Sequence, residues 1–230
     1  MMALLLICSL PVSAFAEEYD LSVGSVTVNA SESRQTVSQV NGVQNHTETT
    51  PTVITQTGSE NSTTNTVTIT AEEKATASVT IQDVNIVISD PADAPPVDHS
   101  GEAAITIDVA DGAEANVTLD GVDIDVSGTG GLIDDKPIPG EAAVQITGNG
   151  DVTMELDGEN TVQGGQNRAG VEKNSGGNLT IIDENETHGS LEATGGKYGS
   201  GIGGGIGGDG SNITITGCRT DTRISQIHQG

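Results

Sequence analysis

Aromatic residues are almost missing from this chain: 230 residues contain no tryptophan, one phenylalanine and two tyrosines. A globular core usually draws much of its buried area from such rings, so the interior here has to come from Val, Ile, Leu and Ala. Cysteine is equally scarce. Cys8 lies in an apolar leader, which leaves Cys218 as the one thiol of a processed chain and no intrachain disulfide to staple the fold. Eight basic residues stand against 33 acidic ones, a net charge of −25. That balance argues against nucleic acid and anionic lipid as partners, since both attract basic proteins. No apolar run is long enough to cross a bilayer as a helix, and no stretch beyond about ten residues shows helical periodicity.

What is present is repetition. Thr66-Val67-Thr68-Ile69 returns as Ala104-Ile105-Thr106-Ile107, Val79-Thr80-Ile81 as Val117-Thr118-Leu119, and Val84, Ile86 and Ile88 as Val122, Ile124 and Val126, each 38 residues on without a gap. Gly101-Glu102-Ala103-Ala104 returns as Gly140-Glu141-Ala142-Ala143. A period of this size marks a solenoid, in which each repeat completes the core of its neighbour. Short apolar–polar alternations separated by polar corners, such as Gln82-Asp83 and Asp120-Gly121, predict an all-β right-handed parallel β-helix of about four to five coils. The run Gly199-Ser200-Gly201-Ile202-Gly203-Gly204-Gly205 has no strand–helix context for a phosphate loop. Its glycines read as corners and close coil-to-coil packing.

Four segments result. Residues 1–16, apolar and ending in the small-x-small site Ala14-Phe15-Ala16, read as a signal peptide cleaved before Glu17, although no Lys or Arg precedes the apolar run. This predicts secretion with no membrane insertion after cleavage. Residues 17–65, rich in Ser, Thr, Asn and Gln, read as a cap or first irregular coil, with a flexible stalk as the alternative. Residues 66–217 form the repeats. Residues 218–230 abandon the pattern at Cys218-Arg219-Thr220-Asp221 and read as an aberrant tail left by truncation or a frameshift.

Two insertions fall at the same place in successive coils, Asp90 to His99 and Gly128 to Pro137. Such insertions project from one face of a solenoid, often its binding face. Their acidic residues make Asp90, Asp93, Asp98, Asp134, Asp135 and Lys136 the candidate ligand contacts, for a sugar or for a calcium ion. Outward Asn85, Asp123 and Asp125 stack near one another, so Asp123 and Asp125 are the candidate calcium ligands of a coil ladder. His46, His99, His188 and His228 are scattered singly and read as surface residues. No catalytic constellation emerges. Asp134-Asp135 and His188-Gly189 are isolated pieces of a β-helix hydrolase pattern whose Asn-Thr-Asp is missing, and Arg168 and Lys173 have no acidic cluster beside them in the sequence.

The AFA-EE junction at Ala14–Glu18, the Val-Thr-Leu-Asp-Gly coil at Leu119 with its counterpart at Leu156, Leu191-Glu192-Ala193-Thr194-Gly195-Gly196, and Gly201–Gly205 followed by Gly208-Asp209-Gly210 give the chain a resemblance. It resembles secreted and wall-associated proteins of gut Gram-positive bacteria, described as carbohydrate-binding-domain-containing surface proteins. That resemblance implies a parallel β-helix within a large, modular, non-catalytic surface protein, with acidic polysaccharide or other glycans as partners, calcium as a candidate ion, and cell-wall attachment through C-terminal modules outside this sequence. The expected function is therefore a non-catalytic, adhesin-like carbohydrate-binding module. A structural stalk and, more remotely, a pectinase-like β-helix enzyme are the alternatives.

Overall fold

The computed structural model describes residues 18–40, 46–48, 51–184 and 189–216. The expected signal peptide 1–16 and tail 218–230 lie outside them. Every regular element among the described residues is a strand, and parallel strands stack into a β-solenoid of about five turns. One sheet contains, in spatial order, Glu18–Asp20, Thr52–Thr55, Thr76–Gln82, Glu114–Asp120, Asp151–Asp157, Leu179–Ile182 and Ile213–Thr216. A second contains Asn85–Ser89, Asp123–Gly128, Glu159–Gln163 and Ser190–Thr194. The third runs from Ile202–Gly203 through Val171–Lys173, Ala142–Gly148, Ala103–Val109 and Val67–Ala71 to Val26–Ser31, where two antiparallel strands, Arg34–Gln39 and His46–Glu48, complete it.

The 38-residue shift is the coil-to-coil register. Val79 pairs with Val117 and Ile81 with Leu119, Ile86 with Ile124, and Val67 and Ile69 with Ile105 and Ile107. Because side chains alternate across a strand, in-register pairing stacks like on like. Ile81, Leu119 and Leu156 stack in one ladder, each with at most 1% exposure, and Met154 and Ile181, which pair in the neighbouring ladder, are fully buried. One pairing departs from the expected repeat. A bulge between Asp125 and Gly128 sets Gly128 opposite Ser89, so Val126 is buried while Ile88 is only partly covered. The extra residue turns the chain out toward the second insertion, as bulges at sheet edges do.

The first sheet is closed at its N-terminal side by a side chain. Thr52 pairs with Val79, and the strand stops there. One residue earlier on the next coil, Ser78 donates its N–H to Gln35 Oε1 at 2.9 Å and accepts from Gln35 Nε2 at 2.9 Å. Gln35 Nε2 also donates to Thr52 Oγ1 at 2.7 Å. The amide thus supplies the bonds a further strand residue would make at that edge. Residues 26–39 are therefore an ordered hairpin with Val37 in the core.

The corner between the first and second sheets recurs in three coils. Asp83, Gly121 and Gly158 occupy it, each with a positive φ of 51°, 67° and 62°. Just past it the inward position is Val84, Val122 and then Asn160, which is 1% exposed. Asn160 Nδ2 donates to Leu119 O, Asp157 O and Ser190 O at 3.2, 2.9 and 3.0 Å, and its Oδ1 accepts from Val122 N at 3.0 Å. One side chain therefore ties three successive coils. Asn160→Leu keeps the size but strands one N–H and three carbonyls. It is expected to cost at least about 2 kcal/mol, read as a lower urea midpoint. An unchanged midpoint would show that the amide does not hold the corner.

Candidate functional site

The bulge at Asp125–Gly128 directs the second insertion against the first. Asp90 N donates to Gly128 O at 3.0 Å, His99 N to Pro139 O at 3.0 Å, and a Cβ on Gly131 would lie 2.7 Å from Pro96. The two insertions therefore form one structure, as their equivalent places in successive coils predict. Inside the second insertion the strands Gly131–Ile133 and Lys136–Ile138 pair as an antiparallel hairpin. Asp134 and Asp135 turn it with φ of 50° and 61°. Two consecutive left-handed residues make the turn that matches strand twist, and Asp tolerates that region better than most residues.

At the root of the paired loops lies a cluster centred on His99. Its Nε2 meets Asp90 Oδ1 at 2.7 Å, and its Nδ1 meets Glu102 Oε2 at 2.6 Å and Glu141 Oε1 at 3.4 Å. The His99 side chain is 15% exposed, which corrects its reading as a surface histidine. Glu102 and Glu141 are the repeated Gly-Glu-Ala-Ala glutamates, brought together because Ala142 pairs with Ala103. Each is held by its backbone. Glu102 N donates to His99 O at 3.0 Å, and Glu141 N donates to the Thr129 hydroxyl at 2.8 Å. Thr129, 1% exposed, donates that hydroxyl to Val126 O, so the bulged strand sets the position of Glu141.

Electrostatics follow from this geometry. Burial opposes the charged form of His99, but hydrogen bonds to Asp90 and Glu102 and the nearby carboxylates outweigh it and raise its pKa above 6.5. Asp90 also loses water on burial. Its bonds from His99, Val97 N and Gly130 N more than compensate and lower its pKa below 3.8. Burial, reinforced by Glu102 and Asp90 and only partly offset by His99, raises the pKa of Glu141.

The predicted ligand residues divide in two. Asp90 is not a free contact: its side chain is 10% exposed, and its Oδ2 accepts from Val97 N at 2.9 Å and Gly130 N at 3.1 Å, latching the two loops together. Asp93, Asp98, Asp134, Asp135 and Lys136 are exposed. Asp98 is occupied locally, accepting from Ser100 N at 2.9 Å and Ser100 Oγ at 2.5 Å. Exposed beside these groups are Val97, Leu132 and Ile133. Asp123 pairs across coils with Asn85 and Thr161, and Asp125 with Val87 and Gln163. Neither aspartate lies under another carboxylate, and Asp125 is engaged by Ser127 N at 2.9 Å.

Sequence reasoning also passed over Glu172. It is 1% exposed, and its Oε1 meets Arg168 Nη2 at 3.0 Å and accepts from Asn174 Nδ2 at 2.9 Å. Burial raises its pKa even so, against the opposing pull of Arg168. Lys173, fully buried, donates to Ser175 O at 2.7 Å and Ser211 O at 3.2 Å and joins two coils. Nothing in the sequence beyond a four-residue spacing points to this pairing of Arg168 with Glu172.

No family model, curated protein or solved structure matches this chain. No helix among the described residues is long and apolar enough to cross a membrane.

The cluster makes stability depend on pH with a definite sign. A histidine whose folded pKa lies above its unfolded value stabilises fully below about 6.5, and that contribution is lost as pH rises through the folded value. The raised pKa of Glu141 acts in the same sense at lower pH, whereas the lowered pKa of Asp90 costs stability only as the solution becomes strongly acidic. Thermal melting between about pH 6 and about pH 9 is expected to fall more steeply for the native chain than for His99→Gln. Parallel slopes would show that the imidazolium is not the link between the loops.

Proposed function

We propose that this solenoid is a non-catalytic binding module of a secreted, cell-surface protein, and that it engages glycans through the paired insertions. One observation carries the reading. Two loops from successive coils are latched into a single projecting structure by Asp90, while the groups at their surface are left exposed. Loops fixed before binding lose little conformational entropy on capture of a ligand, and a solenoid that only spaced two other domains would gain nothing from ordering them. The exposed Val97, Leu132 and Ile133 offer an apolar surface for the C–H face of a sugar, in place of the aromatic platform this chain lacks. Asp93, Asp134 and Asp135 supply carboxylates that bond hydroxyls directly or bridge to uronates through calcium. With a net charge of −25, capture of an acidic polysaccharide requires such a bridging cation.

The Arg168–Glu172 pair supports the absence of catalysis. Arg168 is held at 3.0 Å by the buried carboxylate of Glu172, so its guanidinium is committed within the coil stack and is not free to act as a base on a substrate.

The folded chain, applied to a glycan array with calcium and again with a chelator, is expected to bind acidic polysaccharide in the first condition only. Asp134→Asn combined with Asp135→Asn is expected to weaken that binding about tenfold, and Leu132→Ser to weaken it as well. Equal binding by all three proteins would move the contact face elsewhere. Absence of binding by a folded chain in both conditions would overturn the proposal in favour of a spacer.

A further inference from the structure

We propose that His99, Glu102 and Glu141 form a binding site for one divalent transition-metal ion of the zinc type, with Asp90 as the residue that orients the histidine. The proposal stands on the root of the loops and does not depend on whether their tips hold a sugar. The three donor atoms, one imidazole nitrogen and one oxygen from each glutamate, lie within 4.8 Å of one another. They come from two coils and are fixed from behind, His99 through Pro139 O, Glu102 through His99 O and Glu141 through Thr129 Oγ1. Asp90 faces the far ring nitrogen at 2.7 Å. A carboxylate accepting the Nε2–H selects the tautomer whose Nδ1 lone pair points at the glutamates, which is the usual support for a metal-ligating histidine.

A second observation, the state of Glu141, points independently to cation binding. The Glu141 side chain is only 7% exposed, yet among the described residues its carboxylate accepts no hydrogen bond, and its ion-pair contact is His99 Nδ1 at 3.4 Å. A buried carboxylate without hydrogen bonds is costly, and Asp90, Glu102 and Glu141 outnumber the single imidazolium that faces them. An ion placed between Nδ1 and the two glutamate oxygens would satisfy Glu141 directly.

Ligand chemistry selects the class of ion. One nitrogen and two carboxylates suit zinc and its neighbours at about 2.0–2.2 Å, whereas calcium prefers six to eight oxygens at longer distances. Nδ1 and Glu102 Oε2 now share a proton at 2.6 Å. The ion takes the place of that proton, and the gap opens to about 3.3 Å, the donor spacing of a tetrahedral site. The Glu102 side chain, 62% exposed, has the freedom to make this movement. Three protein donors leave a fourth position open to solvent or to an oxygen of a bound molecule.

Titration of the metal-free full-length chain with Zn²⁺ by calorimetry, and with Co²⁺ by visible absorption, tests the assignment. One saturable equivalent of Zn²⁺ is expected, together with the visible bands of four-coordinate Co²⁺. Glu102→Gln and His99→Gln are each expected to weaken binding at least tenfold, and Asp90→Asn by about ten- to a hundredfold. Should His99→Gln fail to fold by circular dichroism, Glu102→Gln, an exposed and conservative change, still decides the matter. The proposal is overturned if no saturable binding occurs, if Glu102→Gln binds like the native chain, or if Ca²⁺ displaces the bound Co²⁺ as effectively as Zn²⁺ does.

Discussion

Coil-on-coil backbone pairing in strict register is the constraint on which the other features of this molecule rest. Since Glu114–Asp120 lies residue for residue beside Thr76–Gln82 on one side and Asp151–Asp157 on the other, a side chain keeps the same outlook from one coil to the next. Apolar residues at alternate positions then fill a continuous interior, and a chain with two tyrosines and no tryptophan can bury a core of Val, Ile, Leu and Ala. Register also places chemistry. Glu102 and Glu141 face one histidine only because the Ala pair that follows each of them is stacked one on the other.

The same constraint accounts for the places where polar side chains enter the interior. Asn160 replaces a valine in its ladder and satisfies backbone groups of three coils. Gln35 continues the ladder past the end of a strand. Thr129 turns the chain at the bulge and presents a hydroxyl to Glu141 N. Each stands where regular pairing stops or changes direction, and each supplies the hydrogen bonds that the ladder there does not.

The fold was legible in the sequence because its cause is local and periodic. Val79, Ile81, Val117 and Leu119 announce both the alternation and the shift, and the corners at Asp83 and Gly121 carry residues suited to left-handed backbone. The bulge that separates Ile88 from Val126 was not legible, because a single extra residue leaves the hydrophobic pattern looking intact. The pairing of the two insertions could be read from their equivalent positions, but the roles within them could not. Asp90 looks like any loop aspartate until three donors are found around it. The His99 cluster had a signal in the repeated Gly-Glu-Ala-Ala and a histidine three residues before the first glutamate. A repeat of that kind is also what coil packing produces, so only the fold separates the two meanings.

In a parallel solenoid the hydrogen bonds between strands point along the axis of the stack, so tension applied between its ends loads them lengthwise, one coil against the next. Side chains that reach across coils then act as cross-ties. Asn160 joins three coils near one corner, Lys173 joins two through Ser175 and Ser211, and the latch of Asp90 with Gly130 joins the two loop-bearing coils at the edge. These ties are spread along the stack and around its perimeter. Under such tension coils would therefore part between the ties rather than through them, and the two coils carrying the projecting loops would leave the stack together.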